Sequence, residues 1–334
     1  MNILITGGFG NIGISVIDEC LKRGHTVSVF DLESKRSRKL SKQYSKKSVR
    51  TIFGDIRNYD SVHDAIKNQD AIIHLAAILP PLSDKRPELC KEVNVIGVKN
   101  MLDAMTNTGD RAVLVEVSSA SVMGPTQDKQ PPIEPDASLV ATDTYSNTKI
   151  EAEKLVEQSN SRYCILRLAA VLPTNINISY FINMIQVMFD MPLDARCEIV
   201  LDIDVACALV SAAENLANNG RLSGKKGFIA GGKENGCQLT NREMLGAVFE
   251  QIGLTFPRES LFSSELNGYY LDWYDTNKTQ EILKFQNHLF AQWKAIIKKK
   301  LSIYHIPIAL CRPSILHWLE KKSKKYDKQN LSLQ

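Results

Sequence analysis

The chain has 334 residues, 44% of them hydrophobic and 23% charged, with a net charge of +4; it is long enough for one large or two smaller cores and too weakly basic for nucleic acid to be its main partner. Its seven cysteines are odd in number and show no CxxC spacing, which argues against a disulfide framework, offers no metal site and points to a reducing cytoplasm. The first residues lead straight into a strand rather than a signal peptide, and no apolar run approaches the ~20 residues of a membrane span.

Ile3, Leu4 and Ile5 form a short apolar run that predicts a buried parallel strand. Three spaced glycines follow, Gly7, Gly10 and Gly13, and then apolar residues at helical spacing, Ile14, Val16, Ile17 and Leu21, up to Gly24. Strand, glycine-rich turn and helix together are the context of a dinucleotide-binding site. Gly7 allows a tight turn, Gly10 a close approach to a pyrophosphate, and Gly13 close packing of helix on strand. The helix start, with Asn11 and Ile12, offers free N–H groups to the phosphates. Residues 26–30 predict a second strand that ends in Asp31, placed to accept hydrogen bonds from the adenosine ribose. A carboxylate there favours NAD over NADP, although Lys35, Arg36 and Arg38 downstream could neutralise a 2′-phosphate.

Residues 49–53 predict a third strand, followed by Gly54, Asp55 and Ile56. Asp55 either accepts from the adenine amino group or caps the helix that starts at Tyr59. Residues 71–75 predict a fourth strand, and Leu75, Ala76 and Ala77 keep the wall small where the cofactor would lie. Residues 78–81 then form a loop over the cleft, and residues 87–106 a long helix carrying Asn94. That asparagine could hold a proton-relay water or brace two strands. Residues 112–117 predict a fifth strand ending in Ser118, Ser119, Ala120 and Ser121. A Pro-rich loop leads to a helix near Asp143, and residues 163–169 predict a sixth strand. Six strand–helix alternations imply an α/β fold, a Rossmann-type doubly wound parallel sheet whose ligands bind at the carboxyl ends of the strands.

Tyr145 and Lys149 are four residues apart, on one face of the predicted helix. An unperturbed tyrosine has a pKa of ~10, and a nearby ammonium plus an oxidised nicotinamide would favour the phenolate. Tyr145 would then exchange a proton with a substrate hydroxyl, Lys149 would also hold the nicotinamide ribose, and Ser119 would hydrogen-bond the substrate oxygen.

These residues together resemble the extended short-chain dehydrogenases/reductases, more narrowly the NAD-dependent epimerase/dehydratase group. The similarity is carried by Thr6 to Gly13, Gly54-Asp55-Ile56, His74-Leu75-Ala76-Ala77, Val93-Asn94-Val95 with Gly97 and Asn100, Val117 to Gly124, and Tyr145 with Lys149. It continues through Val200 to Ala206 and Asp275 to Leu283, so it covers roughly residues 1–285. The resemblance implies a Tyr–Lys–Ser hydride-transfer site, one NAD(P) per chain and a homodimer. Ala120 and Ser121 stand where dehydratases have an Asp-Glu pair, which disfavours dehydration. Ala169-Ala170 stands where UDP-hexose epimerases have an asparagine for the diphosphate. The expected activity is therefore NAD-dependent oxidoreduction or epimerisation of a secondary alcohol or ketone, of a sugar or nucleotide sugar. The alternatives are an NAD(P)H carbonyl reductase of a small apolar substrate, or a non-catalytic NAD(P)-binding protein that docks through its basic tail.

The expected organisation is a dinucleotide-binding domain over 1–173, a substrate lobe over 174–292 with returns to the sheet, and a basic amphipathic extension over 293–334. The Met-rich stretch 176–191 is expected to divide between core and pocket wall. Residues 294–328 hold ten Lys/Arg against two acids, with Trp293, Ile297, Ile315 and Trp318 interleaved. The preferred reading is a terminal helix packed on the body; peripheral contact with an anionic membrane is the alternative.

Overall fold

The computed structural model describes residues 1–108, 112–175, 188–218, 220–266, 269–302 and 305–323. Its centre follows from runs of β-branched residues too apolar to face water. Strand β1 (Asn2–Thr6) is flanked by β2 (Thr26–Asp31) and β4 (Ala71–His74); β3 (Arg50–Phe53) lies outside β2, and β5 (Val113–Ser119) and β6 (Tyr163–Leu168) follow β4. A further strand, β9 (Lys225–Ile229), closes the row, giving the order β3-β2-β1-β4-β5-β6-β9 with every pairing parallel.

Because strand side chains alternate, the sheet has two apolar faces, and both are covered. Ile3, Ile5, Val29, Ile73 and Val115 pack with Val16 and Ile17 of helix α1 (Asn11–Lys22) and with Leu209 and Ala212 of the late helix Asp202–Ala217. Leu4, Ile72, Leu114 and Ile165 face the other way, toward α3 (Tyr59–Ile66) and the helices Gly97–Thr108 and Thr144–Glu157. Helix α2 (Lys35–Ser45) follows β2 and opens on a Ser34 capping box.

The helix expected over 87–106 is interrupted. After α4 (Leu82–Lys85) and α5 (Pro87–Lys91) comes a wide π turn, Glu92–Ile96, and only then α6 (Gly97–Thr108). Asn94 lies in that turn, drawn off the regular helical path by hydrogen bonds to a neighbouring loop. Helix α7 (Thr144–Glu157) begins at an Asp143–Ser146 capping box, which fixes the rotation of everything after it.

The sixth strand is shorter than expected, because the chain leaves the large sheet after Leu168. It forms β7 (Ala170–Leu172), which pairs in parallel with β8 (Arg196–Leu201); β10 (Gln238–Thr240) pairs antiparallel with β8. Between these strands run α8 (Asp202–Ala217) and β9, so the chain returns to the large sheet. Helices α9 (Asn241–Ile252), α10 (Asn277–Leu283), α11 (Phe290–Leu301) and α12 (His305–Glu320) follow.

A second core joins Leu172, Ile199, Phe249 and Leu271 to Phe290, Trp293 and Ile297 of α11 and Leu319 of α12. Met188 is buried there and Met191 packs against it, on the core side of the expected division; residues 176–187 of that stretch lie outside the described residues. The terminal helices are tied down by Trp293 Nε1 donating to Pro173 O (3.0 Å), Arg258 pairing with Glu320 (3.1 Å) and Ser323 Oγ donating to Leu261 O (2.7 Å). The basic residues beyond Ser323 lie outside the described residues. Among the described residues no helix is long and apolar enough to cross a membrane.

Candidate active site

At the end of β1 the chain must reverse into α1 within four residues. Gly7 does this at φ +65°, and a Cβ there would lie 2.9 Å from the Ala76 backbone. Gly10 N donates to Gly7 O (3.0 Å), and a Cβ on Gly13 would sit 2.6 Å from Gly8 Cα. No side chain caps α1, whose first turn and positive dipole end lie at the cleft. Such a backbone cradle fits a pyrophosphate.

Gly7, Gly10, Asn11, Ile12, Gly13, Asp31, Asp55, Ile56, Leu75, Ala76, Ala77, Ser119, Tyr145 and Lys149 all line one cleft of about 650 Å3 at the carboxyl ends of the strands. Asp31 Oδ2 accepts from Phe9 N and Oδ1 from Leu32 N, both at 2.8 Å, which aims the carboxylate along the end of β2. Burial raises its pKa, against the pull of those two amides. Of the downstream cations, Arg38 is paired with Glu33 at 2.8 Å, whereas Arg36 reaches Asn11 Oδ1 (3.4 Å) and lies in the field of Asp31. Asp55 is held by the Arg57 guanidinium (2.7 Å), which lowers its pKa, and the other side of Arg57 binds Glu92 (2.6 Å).

The wall after β4 is fixed by Thr6, whose Oγ1 accepts from Leu75 N and Ala76 N at 3.2 Å each. Asn94 stands behind that wall rather than in the cleft. Its Oδ1 accepts from Ile78 N (2.8 Å), and its Nδ2 faces Ile78 O (3.1 Å), Thr148 Oγ1 (3.0 Å) and Cys90 Sγ (3.3 Å). It thus ties the loop after β4 to α7, a brace between a loop and a helix rather than between two strands.

Ser119 and Tyr145 both line the cleft floor, and Ser119 is close enough to act on the Tyr145 phenol. Ser119 Oγ also accepts from Ser121 N (3.2 Å) and from Ser121 Oγ (2.9 Å). Burial drives the Tyr145 phenol well above its ordinary pKa; the neighbouring Ser119 hydroxyl opposes this, and Tyr270 and Asp143 add to it. Without a bound cation Tyr145 is therefore a protonated acid. Lys149 is 4% exposed; its Nζ donates to Val117 O (2.8 Å) and lies 3.8 Å from Glu116 Oε1.

Helix α7 owes its place to a buried ion pair one turn below Lys149. Glu153 binds Arg167 of β6 through both oxygens (2.9 and 2.6 Å) and accepts from Ser118 Oγ (2.5 Å), while Arg167 also donates to Pro135 O (2.7 Å). Sequence reasoning missed this pair, as it missed Glu116 and the Tyr270 side of the cleft. Alternation within β5 carried a signal, since Glu116 and Ser118 point to the face that α7 covers; Tyr270, in an irregular segment, had none.

The profile of the 3-beta hydroxysteroid dehydrogenase/isomerase family matches residues 4–176, a little over half of the chain. The chain belongs to this family. A 3-beta-hydroxysteroid dehydrogenase of Mycolicibacterium neoaurum is 27% identical over 251 residues, covering 69% of this chain and 66% of that protein. The mouse (Mus musculus) sterol-4-alpha-carboxylate 3-dehydrogenase, decarboxylating, is 24% identical over 232 residues, covering 66% of this chain and 61% of that protein. The match therefore spans just under two thirds of these relatives' own length. In fold, the chain of the 3-beta hydroxysteroid dehydrogenase/isomerase family described here superposes on UDP-glucuronic acid 4-epimerase from Bacillus cereus, solved with UDP-glucuronic acid and NAD. The TM-score is 0.75 at 18% identity, covering 91% of this chain and 100% of that one.

Proposed function

We propose that the protein is an NAD-dependent dehydrogenase/reductase of an apolar, sterol-like secondary alcohol or ketone. The observation that carries this is the lining of the cleft beyond Ser119 and Tyr145: Leu168, Ala169, Val171, Pro173 and Tyr270, faced by Ile78 and Leu79. The cations among the lining residues are Arg57, held by two carboxylates, and Lys149 on the floor. No lysine or arginine occurs from 168 to 195 in the sequence, and Lys300, which reaches this segment, is engaged with Thr174 O (2.9 Å) and Asn175 Oδ1 (3.4 Å), which disfavours a sugar-nucleotide diphosphate there. The family's sterol-acting relatives point the same way.

In this reading the Gly7–Gly13 turn and the start of α1 hold the pyrophosphate, and Asp31 accepts from the adenosine ribose, which favours NAD. Bound NAD supplies or accepts the hydride. Ser119 Oγ hydrogen-bonds the substrate oxygen, Tyr145 Oη takes or gives its proton, and Lys149 holds the nicotinamide ribose and lowers the cost of the phenolate. Burial keeps water from competing for that proton.

The test is NADH formation from a 3β-hydroxysteroid, set beside conversion of UDP-glucose followed by chromatography, because epimerisation returns its hydride and leaves no net NADH. Wild-type protein should turn over the steroid, and Tyr145→Phe should lose at least ~10²-fold in kcat while still binding NAD. Turnover of UDP-glucose alone, or a Tyr145→Phe variant that keeps more than about a tenth of the activity, would overturn the reading.

A further inference from the structure

Under the cleft floor, on the face of the sheet covered by α7, two buried polar side chains stand side by side. His74 of β4 and Glu116 of β5 are register partners, and both are fully buried. Thr6 Oγ1 already accepts from two amides, so its own hydrogen goes to His74 Nδ1, 2.7 Å away. Nδ1 is thus the acceptor, and neutral His74 carries its proton on Nε2. Among the described residues that Nε2 has no hydrogen-bond partner, and neither has either oxygen of Glu116. The charges facing Glu116 are Lys149, 3.8 Å away, and Glu153, whose own charge is taken up by Arg167 and Ser118. The Asn94 amide, fully engaged with Ile78, Cys90 and Thr148, faces elsewhere.

We infer that Glu116 is a positioning residue for the proton-transfer site: its carboxylate is the counter-charge that holds the Lys149 ammonium down against β5 and partly cancels its field at Tyr145. A lone lysine there would act on the phenol with its full charge. With Glu116 ionised beneath it, the pair presents a dipole, and Tyr145 keeps its proton to higher pH. Burial pushes the Glu116 carboxyl up to about 7, with Lys149 opposing and Glu153 adding to the rise. The lysine's field is thus screened on the alkaline side of neutrality and unscreened on the acid side.

The inference takes from the proposed function only the role of Tyr145 as proton carrier. Its test reads the absorbance of Tyr145 itself rather than turnover, so failure of one does not imply failure of the other. Ultraviolet titration of the NAD+-bound protein is recorded for wild type and Glu116→Gln, each against the same protein carrying Tyr145→Phe, which isolates the Tyr145 signal. Glu116→Gln should move the Tyr145 transition to lower pH by about one unit, and Glu116→Asp should return it most of the way. A Gln variant that titrates within ~0.2 unit of wild type would overturn the inference. As a second measurement, thermal unfolding compares the effect of Glu116→Gln in wild type with its effect in Lys149→Met. If the charges are partners, Glu116→Gln must raise the melting temperature more in the Lys149→Met background than in wild type; an equal or smaller gain would overturn the inference.

Discussion

Replacing Glu153 with glutamine tests what holds the candidate active site in register. Glu153 and Arg167 are buried, the guanidinium meets both carboxylate oxygens, and the pair joins α7, β5, β6 and the loop at Pro135. Glutamine keeps the shape but removes the charge, leaving Arg167 with a buried positive charge and only neutral acceptors: the new amide oxygen, Pro135 O and Met123 Sδ. Breaking a buried pair on one side costs roughly 3–5 kcal/mol, whereas replacing both members with apolar residues of similar volume is often neutral or stabilising. Glu153→Gln and Arg167→Met should therefore each lower the unfolding free energy by about 3 kcal/mol or more, and Glu153→Leu/Arg167→Met by far less than the sum. Urea unfolding followed by far-ultraviolet circular dichroism measures all of these. Because the pair lies one turn from Lys149, the single variants should also weaken NAD binding, and the double variant should recover stability before it recovers binding. A single-variant loss below about 1 kcal/mol, in the range of an exposed pair, would refute this account of how α7 is anchored.

Gly13→Ala should be harsher than its size suggests, because the new methyl would press on the Gly8 backbone rather than on a movable side chain. A cost of about 1–3 kcal/mol and a loss of NAD binding by calorimetry are expected; unchanged affinity would mean that α1 can slide without cost. For Glu116, burial raises the folded-state pKa from 4.5 to about 7, so the folded protein holds the proton more tightly than the unfolded chain. Its destabilising contribution is absent below the lower value and fully present above the higher one. The stability advantage of Glu116→Gln over wild type should therefore grow by about 3 kcal/mol between roughly pH 4.5 and pH 7. A constant difference in melting temperature over that window would remove the buried carboxylate as its cause.

The sheet was legible because its strands carry clusters of Ile, Val and Leu and its first turn is punctuated by glycine. The start of α7 was legible from Asp143, whose side chain caps it. What escaped was set by tertiary contact. The helix over 87–106 has good periodicity throughout, yet Asn94 prefers the Ile78 backbone to the regular ladder, and the helix widens to let it reach. β9 begins with two lysines and a glycine, a weak strand by propensity, and is recruited because β6 offers an unpaired edge. The cleft residues near the glycine turn could be named because their spacing along the chain mirrors their spacing in space. Tyr270 sits 125 positions after Tyr145, and only folding of the second lobe brings it to the cleft. Glu116 looked like a flaw in an apolar strand, and its meaning depends on Lys149 standing above it.

The route of the chain through β9 and α8 bears on how the protein can be made and divided. The family profile ends at residue 176, but a polypeptide halted there would leave β6 with a bare hydrogen-bonding edge. It would also expose the sheet face that α8 covers and leave Arg23 and His25, after α1, without Glu214 of that helix. A ribosome must deliver residue 229 before the large sheet gains its last strand, and by then β7 and β8 have already left for the small one. The two sheets are thus completed in alternation during synthesis. The shortest autonomous fragment of this protein is set by its threading rather than by the segment that the family profile matches.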